Sequence, residues 1–343
     1  MEIAMDGQKD PYEVGIQNPQ LPLAFLHRRW QSFAGFFLVL FLFEHLLTNS
    51  QAALFIGDDG KGFIESVNLI HSLPYLQVIE ITLLALPFLI HGLWGIKYLL
   101  QGSINSVKTQ GTTPSLSKYS RNHGYTWQRI TSILLLFAII AHVSYMRFIK
   151  KPHEVRTNQG DEYFVKVSDD EGLYTLSDRL KFDIFTHKQI QSKDQSFKRH
   201  KTLFRDLSIA KKEMSMFFSQ NAERQRQEKQ RLKQEKKILK ALNGYDIREN
   251  QVVLQTSSPG TAILMVVRDT FKSTSLCILY SLFVFIACFH ACNGLWTFSI
   301  SWGITLTEHS MKRCRQCCNV LMGVLIFFGL ISIWGTYWIN LRN

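Results

Sequence analysis

The sequence predicts an all-α integral membrane protein, with five transmembrane helices in one bundle and a long extramembrane insert between the third and the fourth. Three observations carry that expectation. Five apolar runs approach or exceed the ~20 residues a helix needs to cross the hydrocarbon of a bilayer. The rest of the chain is polar enough to bring the mean hydropathy to -0.01, although 46% of the 343 residues are hydrophobic. Four of the five runs carry one histidine each inside the apolar stretch, His45, His91, His142 and His290, where an unpartnered polar ring is costly. The formal net charge is +12, but the basic residues flank the apolar runs or lie in one central segment. Lipid headgroups and membrane topology account for them, and no nucleic-acid partner is expected.

Residues 1–24 read as a polar, cytoplasmic N-terminal tail, in which Pro11, Pro19 and Pro22 oppose a long helix. No secretory signal peptide is evident, so the first span is expected to serve as its own insertion signal. Residues 25–148 hold the first three spans. The first, about 33–49, is short, so its helix should begin earlier, with Arg28, Arg29 and Trp30 at headgroup level. Glu44, beside His45, should face the bundle or a polar cavity. The second span, about 75–100, has Glu80 near its start, Pro87 at its middle and His91 four residues later. The third, about 125–148, starts near Arg129, carries His142 deep on its far side and ends at Arg147.

Residues 149–271 differ in kind. They read as a charged, partly helical insert, with a solvated helix or helical hairpin over 203–242. They end in an apolar stretch, 261–267, that is too short to cross a bilayer and suits an interfacial helix. Residues 272–343 hold the fourth span, about 275–298, and the fifth, about 318–339, which has no histidine. The six cysteines, Cys277, Cys288, Cys292, Cys314, Cys317 and Cys318, lie in or beside apolar runs and do not form a disulfide framework.

Charge sets the expected orientation. Arg28 and Arg29, the connection holding Lys97, Lys108, Lys118, Arg121 and Arg129, and the connection holding Lys312, Arg313 and Arg315 all fall on one side of a five-span bundle. The positive-inside rule puts that side, and the N-terminus, in the cytoplasm. At ~1.5 Å rise per residue, His45 and His142 then lie at one outer depth, and His91 and His290 at one inner depth. Two imidazoles at one depth are what a six-coordinate haem b requires, since the porphyrin supplies the other four nitrogens. Zinc is disfavoured, because no third ligand stands at either depth.

Several motifs extend this pattern: Phe289-His290 with Asn293-Gly294-Leu295-Trp296 and Ser301-Trp302-Gly303-Ile304-Thr305; Arg29, Ser32 and Gly35 ahead of His45; Ser72-Leu73-Pro74 with Glu80 and His91; and Gln128-Arg129 with His142 and Arg147. In these motifs, and in their order over nearly all five spans, the chain resembles the single-chain di-haem cytochrome b membrane anchor of succinate dehydrogenase or quinol:fumarate reductase, of the cytochrome b558 type. The resemblance implies two haems b, one on His45 and His142 far from the soluble subunits and one on His91 and His290 nearer to them. It implies partner subunits on the cytoplasmic side, a flavoprotein with FAD and an iron-sulfur protein, and a quinone, menaquinone or ubiquinone, in the lipid bilayer. Such an anchor does no succinate chemistry itself, sits in the bacterial cytoplasmic (inner) membrane as a multi-pass protein, and belongs to a complex whose higher oligomerisation is open. Arg29, Trp30, Ser32 and the nearby His27 become candidates for propionate or quinone contacts, and Arg147 for a propionate on the outer side.

Two departures stand out. The insert over 149–271 replaces a short family connection, and it could cover the outer haem edge, bind a partner or be a tolerated extension. Some fumarate reductases place an acid two residues before the fourth-helix histidine, where this chain has Cys288, so that proton route is not expected. The alternatives are a stand-alone di-haem cytochrome b with a quinol-linked role, and a haem-free membrane scaffold.

Overall fold

The computed structural model describes residues 22–102, 118–214 and 220–342. Most of the 1–24 tail and Lys108 lie outside these residues. Five helices are long and apolar enough to cross a membrane: Leu23–Ser50 (α1), Leu76–Gln101 (α3), Arg121–Ile149 (α4), Thr274–Ser301 (α9) and Glu308–Leu341 (α10). A shorter helix, Lys61–Ser72 (α2), links α1 to α3.

The helix ends follow local chemistry. Pro22, with φ −57°, sits at the N-cap of α1, and the helix takes in the polar turn of His27, Arg28 and Arg29 before its apolar run begins. Pro87 has no N–H, and its ring would crowd the carbonyl four residues back. A π-helical turn over Ile81–Ala85 widens α3 at that place. α10 starts at a capping box, in which Thr307 Oγ1 accepts from the Ser310 N–H and Ser310 Oγ accepts from the Thr307 N–H, well before the run of apolar residues. Arg129 fastens α3 to α4: its guanidinium donates to the carbonyls of Leu99 (2.6 Å) and Gly102 (2.9 Å) at the C-terminal end of α3.

In the bundle, α9 is central and packs against α10, α4 and α1, while α1 also packs against α3. Gly329 of α10 lets that helix approach α9, because a Cβ there would meet the Val284 side chain at 2.5 Å.

The insert corrects the all-α expectation. It contains a four-stranded antiparallel sheet, order β1-β2-β4-β3, from His153–Thr157 (β1), Gly160–Ser168 (β2), Asp183–Phe185 (β3) and Gln251–Thr256 (β4). Between strands lie Glu171–Leu180 (α5) and a hairpin of two charged helices, His187–Met214 (α6) and Gln220–Asn243 (α7). Phe164, Val253 and Leu242 are fully buried where this hairpin meets the sheet. The Tyr245 hydroxyl donates to the Phe164 carbonyl (2.8 Å), and burial pushes its pKa up to about 12.

The stretch expected as an interfacial helix is also corrected. Pro259–Thr270 (α8) is buried on almost every side, packed on α2, β2 and β4 rather than on lipid. Its N-terminus is held by Asn68, whose side-chain oxygen accepts from the Gly260 N–H (2.8 Å), and Gly260 lies so close to the Ile64 backbone that a Cβ would not fit. Ion pairs complete the join to the membrane helices: Arg179 with Asp59 (2.7 Å), Lys150 with Asp269 (2.8 Å), and Lys272 with Asp170. Burial alone would raise the Asp269 pKa, but Lys150 and the Ser168 N–H more than offset it and hold the carboxyl below its ordinary value. Burial likewise works against the Lys150 ammonium, and the bond to Asp269 outweighs it, so the lysine pKa is raised. One apolar core therefore runs from Val165, Val252 and Leu264 in the insert to Cys288 and Leu325 in the bundle.

Candidate functional site

The four membrane histidines meet as two pairs. The rings of His45 on α1 and His142 on α4 have centroids 6.0 Å apart and planes 79° apart. Those of His91 on α3 and His290 on α9 are 6.2 Å and 88° apart. Two metal–nitrogen bonds of ~2 Å, with ~1.2 Å from each nitrogen to its ring centre, would set the centroids ~6.3 Å apart across one iron. Both separations fit that requirement. Thr131, beside His290, and His142 on α4, and Tyr280, beside His142, and His290 on α9, each stand about three turns apart, ~15–17 Å along the axis, so the two pairs lie at different depths.

Hydrogen bonds decide which nitrogen each inner ring keeps for a ligand. His91 Nδ1 lies 3.0 Å from the Gln31 carbonyl oxygen, which only accepts, so Nδ1 carries the proton and Nε2 the lone pair. His290 Nδ1 lies 3.2 Å from Thr131 Oγ1. The single Thr131 hydroxyl proton is already donated to the carbonyls of Trp127 (2.7 Å) and Gln128 (3.1 Å), so Thr131 accepts from His290 Nδ1–H and again leaves Nε2 for coordination. Gln128 adds a third tie by donating from Nε2 to the His290 carbonyl (3.0 Å). In the outer pair, His142 Nδ1 and the Tyr280 hydroxyl are 3.2 Å apart, Phe283 packs on His142, and Phe41 stacks on His45.

Gly35 makes room for the inner pair. A Cβ there would lie 2.8 Å from both Cε1 and Nδ1 of His91, so the imidazole rests directly on the α1 backbone. Among the described residues, no third His, Cys, Asp or Glu gathers with either pair into a metal-binding group. Among the described residues each pair therefore offers two nitrogens, a donor set that would suit a metal bringing its own equatorial ligands, as haem iron does.

At this point comparison with known proteins adds a relative. The chain is 28% identical over 120 residues to a succinate dehydrogenase cytochrome b558 subunit of Bacillus subtilis strain 168. That match takes in 35% of this chain and 54% of the relative, so it spans about half the length of the curated protein. No family model matches, and no solved structure matches.

The other residues singled out in the sequence fall into separate places. Arg29 donates to the Ser301 carbonyl at the end of α9 and lies 5.2 Å over the Trp302 ring, while the Trp302 indole N–H donates to Ser32 Oγ (3.3 Å). Arg29 and Ser32 together therefore hold the C-terminal end of α9 to α1. His27 packs on Trp94 (5.2 Å), and Trp30 is exposed beside Phe33. Arg147 pairs with Glu80 (3.0 Å), linking α4 to α3. Glu44 departs from expectation: it is exposed on α1, where one carboxylate oxygen accepts from the Thr48 hydroxyl one turn on (2.9 Å). Sequence reasoning did not single out Gln31, Thr131 or Tyr280, because each matters through a contact with a different helix.

Proposed function

We propose that this chain is the membrane anchor and electron-transfer subunit of a succinate:quinone oxidoreductase. In this reading His45 with His142, and His91 with His290, each hold one haem b. The single observation that carries it is the presence of two histidine pairs at bis-imidazole spacing. The partial similarity to a cytochrome b558 subunit points the same way.

Bound haem supplies reversible one-electron transfer. The chain supplies everything else. Gln31 and Thr131 fix the inner tautomers, Gly35 gives the His91 ring its seat, and Phe41, Tyr280 and Phe283 pack around the outer pair and limit water. The ~15 Å offset between the pairs sets an electron route along the bundle axis. The N-terminus is assigned to the cytoplasm of a bacterium, where a flavoprotein with FAD and an iron-sulfur subunit would dock near His91 and His290. Electrons would pass between them and menaquinone or ubiquinone in the membrane.

The test is affinity purification of the full chain from its own membranes. The proposal expects two haems b per chain and co-elution of flavin and iron-sulfur subunits with succinate:quinone reductase activity. A haem-bearing chain that elutes without flavin or iron-sulfur protein would point instead to a stand-alone cytochrome.

A further inference from the structure

A small cavity lies where the insert joins the membrane helices. Its walls include Asp170 and Gly172 at the start of α5, Arg268 and Asp269 of α8, Lys272 beyond it and Asn340 of α10. Its volume is about 20 Å³, room for the centre of one water-sized guest and little more. Arg268 is only 6% exposed, yet among the described residues its Nε has no hydrogen-bond partner and its guanidinium joins no ion pair. The carboxylates nearby are held by other cations. Both oxygens of Asp59 accept from Arg179 (2.7 and 3.1 Å), Asp269 pairs with Lys150 (2.8 Å), and Asp170 pairs with Lys272. Asp58 turns back on its own loop, where it accepts from the Gly60 N–H (2.9 Å). The Arg268 carbonyl accepts from the Asn340 amide (2.8 Å), which fixes the arginine backbone but leaves its charge unmatched. Burial accordingly pulls the Arg268 pKa below its ordinary value, with Asp59 offsetting part of the effect.

We propose that this cavity binds a small monovalent anion of the halide class, with Arg268 as its counter-charge. A buried guanidinium is costly unless an anion accepts from it, and a neutral water would satisfy one donor without compensating the charge. Gly172 supplies a second element. It lies in the first turn of the ten-residue helix α5, where the leading N–H groups have no acceptor within the helix and the dipole favours negative charge. Asp170 and Asp269 also line the cavity, but each is already neutralised by its lysine. A phosphodiester carries two substituents beyond its free oxygens, which a space of this size does not admit, so a lipid headgroup is not the guest. The ion would bridge α5, α8 and α10 and so fasten the insert to the last membrane helix. The proposal is independent of the function proposed above, because it uses none of the four histidines.

The test uses the full chain in detergent, with thermal unfolding followed in sodium gluconate and in sodium chloride at one ionic strength. Exchanging gluconate for about 100 mM chloride should raise the midpoint by roughly 2–5 °C, the shift expected as a site of about millimolar affinity fills, and bromide should act alike. Arg268→Met, which keeps much of the side-chain length and removes the charge, should fold and lose this dependence on halide. A bromide-soaked crystal gives an independent readout, an anomalous peak within hydrogen-bond reach of Arg268 Nε that excess chloride displaces. Equal midpoints of the wild-type chain in gluconate and chloride, an unchanged halide shift in Arg268→Met, or density for water alone beside Arg268 would each overturn the site. Should Arg268→Met fail to fold, the bromide peak in the wild-type chain decides by itself.

Discussion

Replacing Gly35 by alanine should damage one histidine pair and spare the other. The new Cβ would stand 2.8 Å from two atoms of the His91 ring, whereas ordinary contact begins at 3.4 Å, so the ring must retreat by the difference, ~0.6 Å or more. The same ring holds a 3.0 Å bond to the Gln31 carbonyl, which a shift of that size stretches past the useful range. Overpacking of this kind costs about 1–3 kcal/mol in a closed site, and here the strain falls on an axial ligand. Haem per chain, measured by pyridine haemochrome on purified protein, should fall from two towards one, with the His45 and His142 haem kept. Gly92→Ala is the control, since it is next to His91 in sequence and its Cβ would meet nothing within 4 Å. If Gly35→Ala kept two haems per chain with an unchanged spectrum, the seat assigned to His91 would be wrong.

Three further outcomes are expected. Thr131→Val keeps the shape but removes the acceptor for His290 Nδ1–H, and should speed loss of the inner haem to apomyoglobin, consistent with the ~10–100-fold affinity usually lost with an orienting partner; Thr131→Ser should restore it, and equal loss rates in all three proteins would remove Thr131 from the site. The near-perpendicular ring planes, 79° and 88°, predict strongly anisotropic low-spin ferric signals in electron paramagnetic resonance, and two rhombic signals typical of parallel imidazoles would contradict the arrangement. The Asp269–Lys150 pair should give the join between insert and bundle a pH window. Because the Asp269 pKa is depressed, its contribution is present above the unfolded value near ~4 and is lost as pH falls through the lower folded one. Because the Lys150 pKa is raised, its contribution is present below the unfolded value near ~10.4 and is lost as pH rises through the folded one. Thermal unfolding of the detergent-solubilised chain should lose part of its acid-side dependence in Asp269→Asn, and an identical acid slope in that variant would refute the pair's role.

The five long helices and the pairing of histidines by depth were legible because both depend on local quantities, apolar run length and helical rise. The ends were less so. At α1 the short apolar run already required a helix that takes in Arg28, but the polar turn around Arg313 belongs to α10 without any hydropathy signal, and the cap formed by Thr307 and Ser310 marks the true start of that helix. The sheet was hidden because β1 and β2 read as charged loops, His-Glu-Val-Arg-Thr and Gly-Asp-Glu-Tyr-Phe-Val-Lys-Val-Ser, whose inward residues are few until β4 pairs with them. α8 looked interfacial because its apolar face needs a cover, and the sequence does not say that α2 and the sheet provide it. Around the histidines, Gln31, Thr131 and Tyr280 act from helices far along the chain, so no spacing rule in one segment could single them out.

The pairing itself is tested most directly by counting haem in combined variants. Removing both members of one pair, in His45→Ala with His142→Ala, should leave one haem per chain, as each single replacement does. Removing one member from each pair, in His45→Ala with His290→Ala, should leave none. If the second combination still held one haem per chain and the first held none, the histidines would be paired differently and the account would fail.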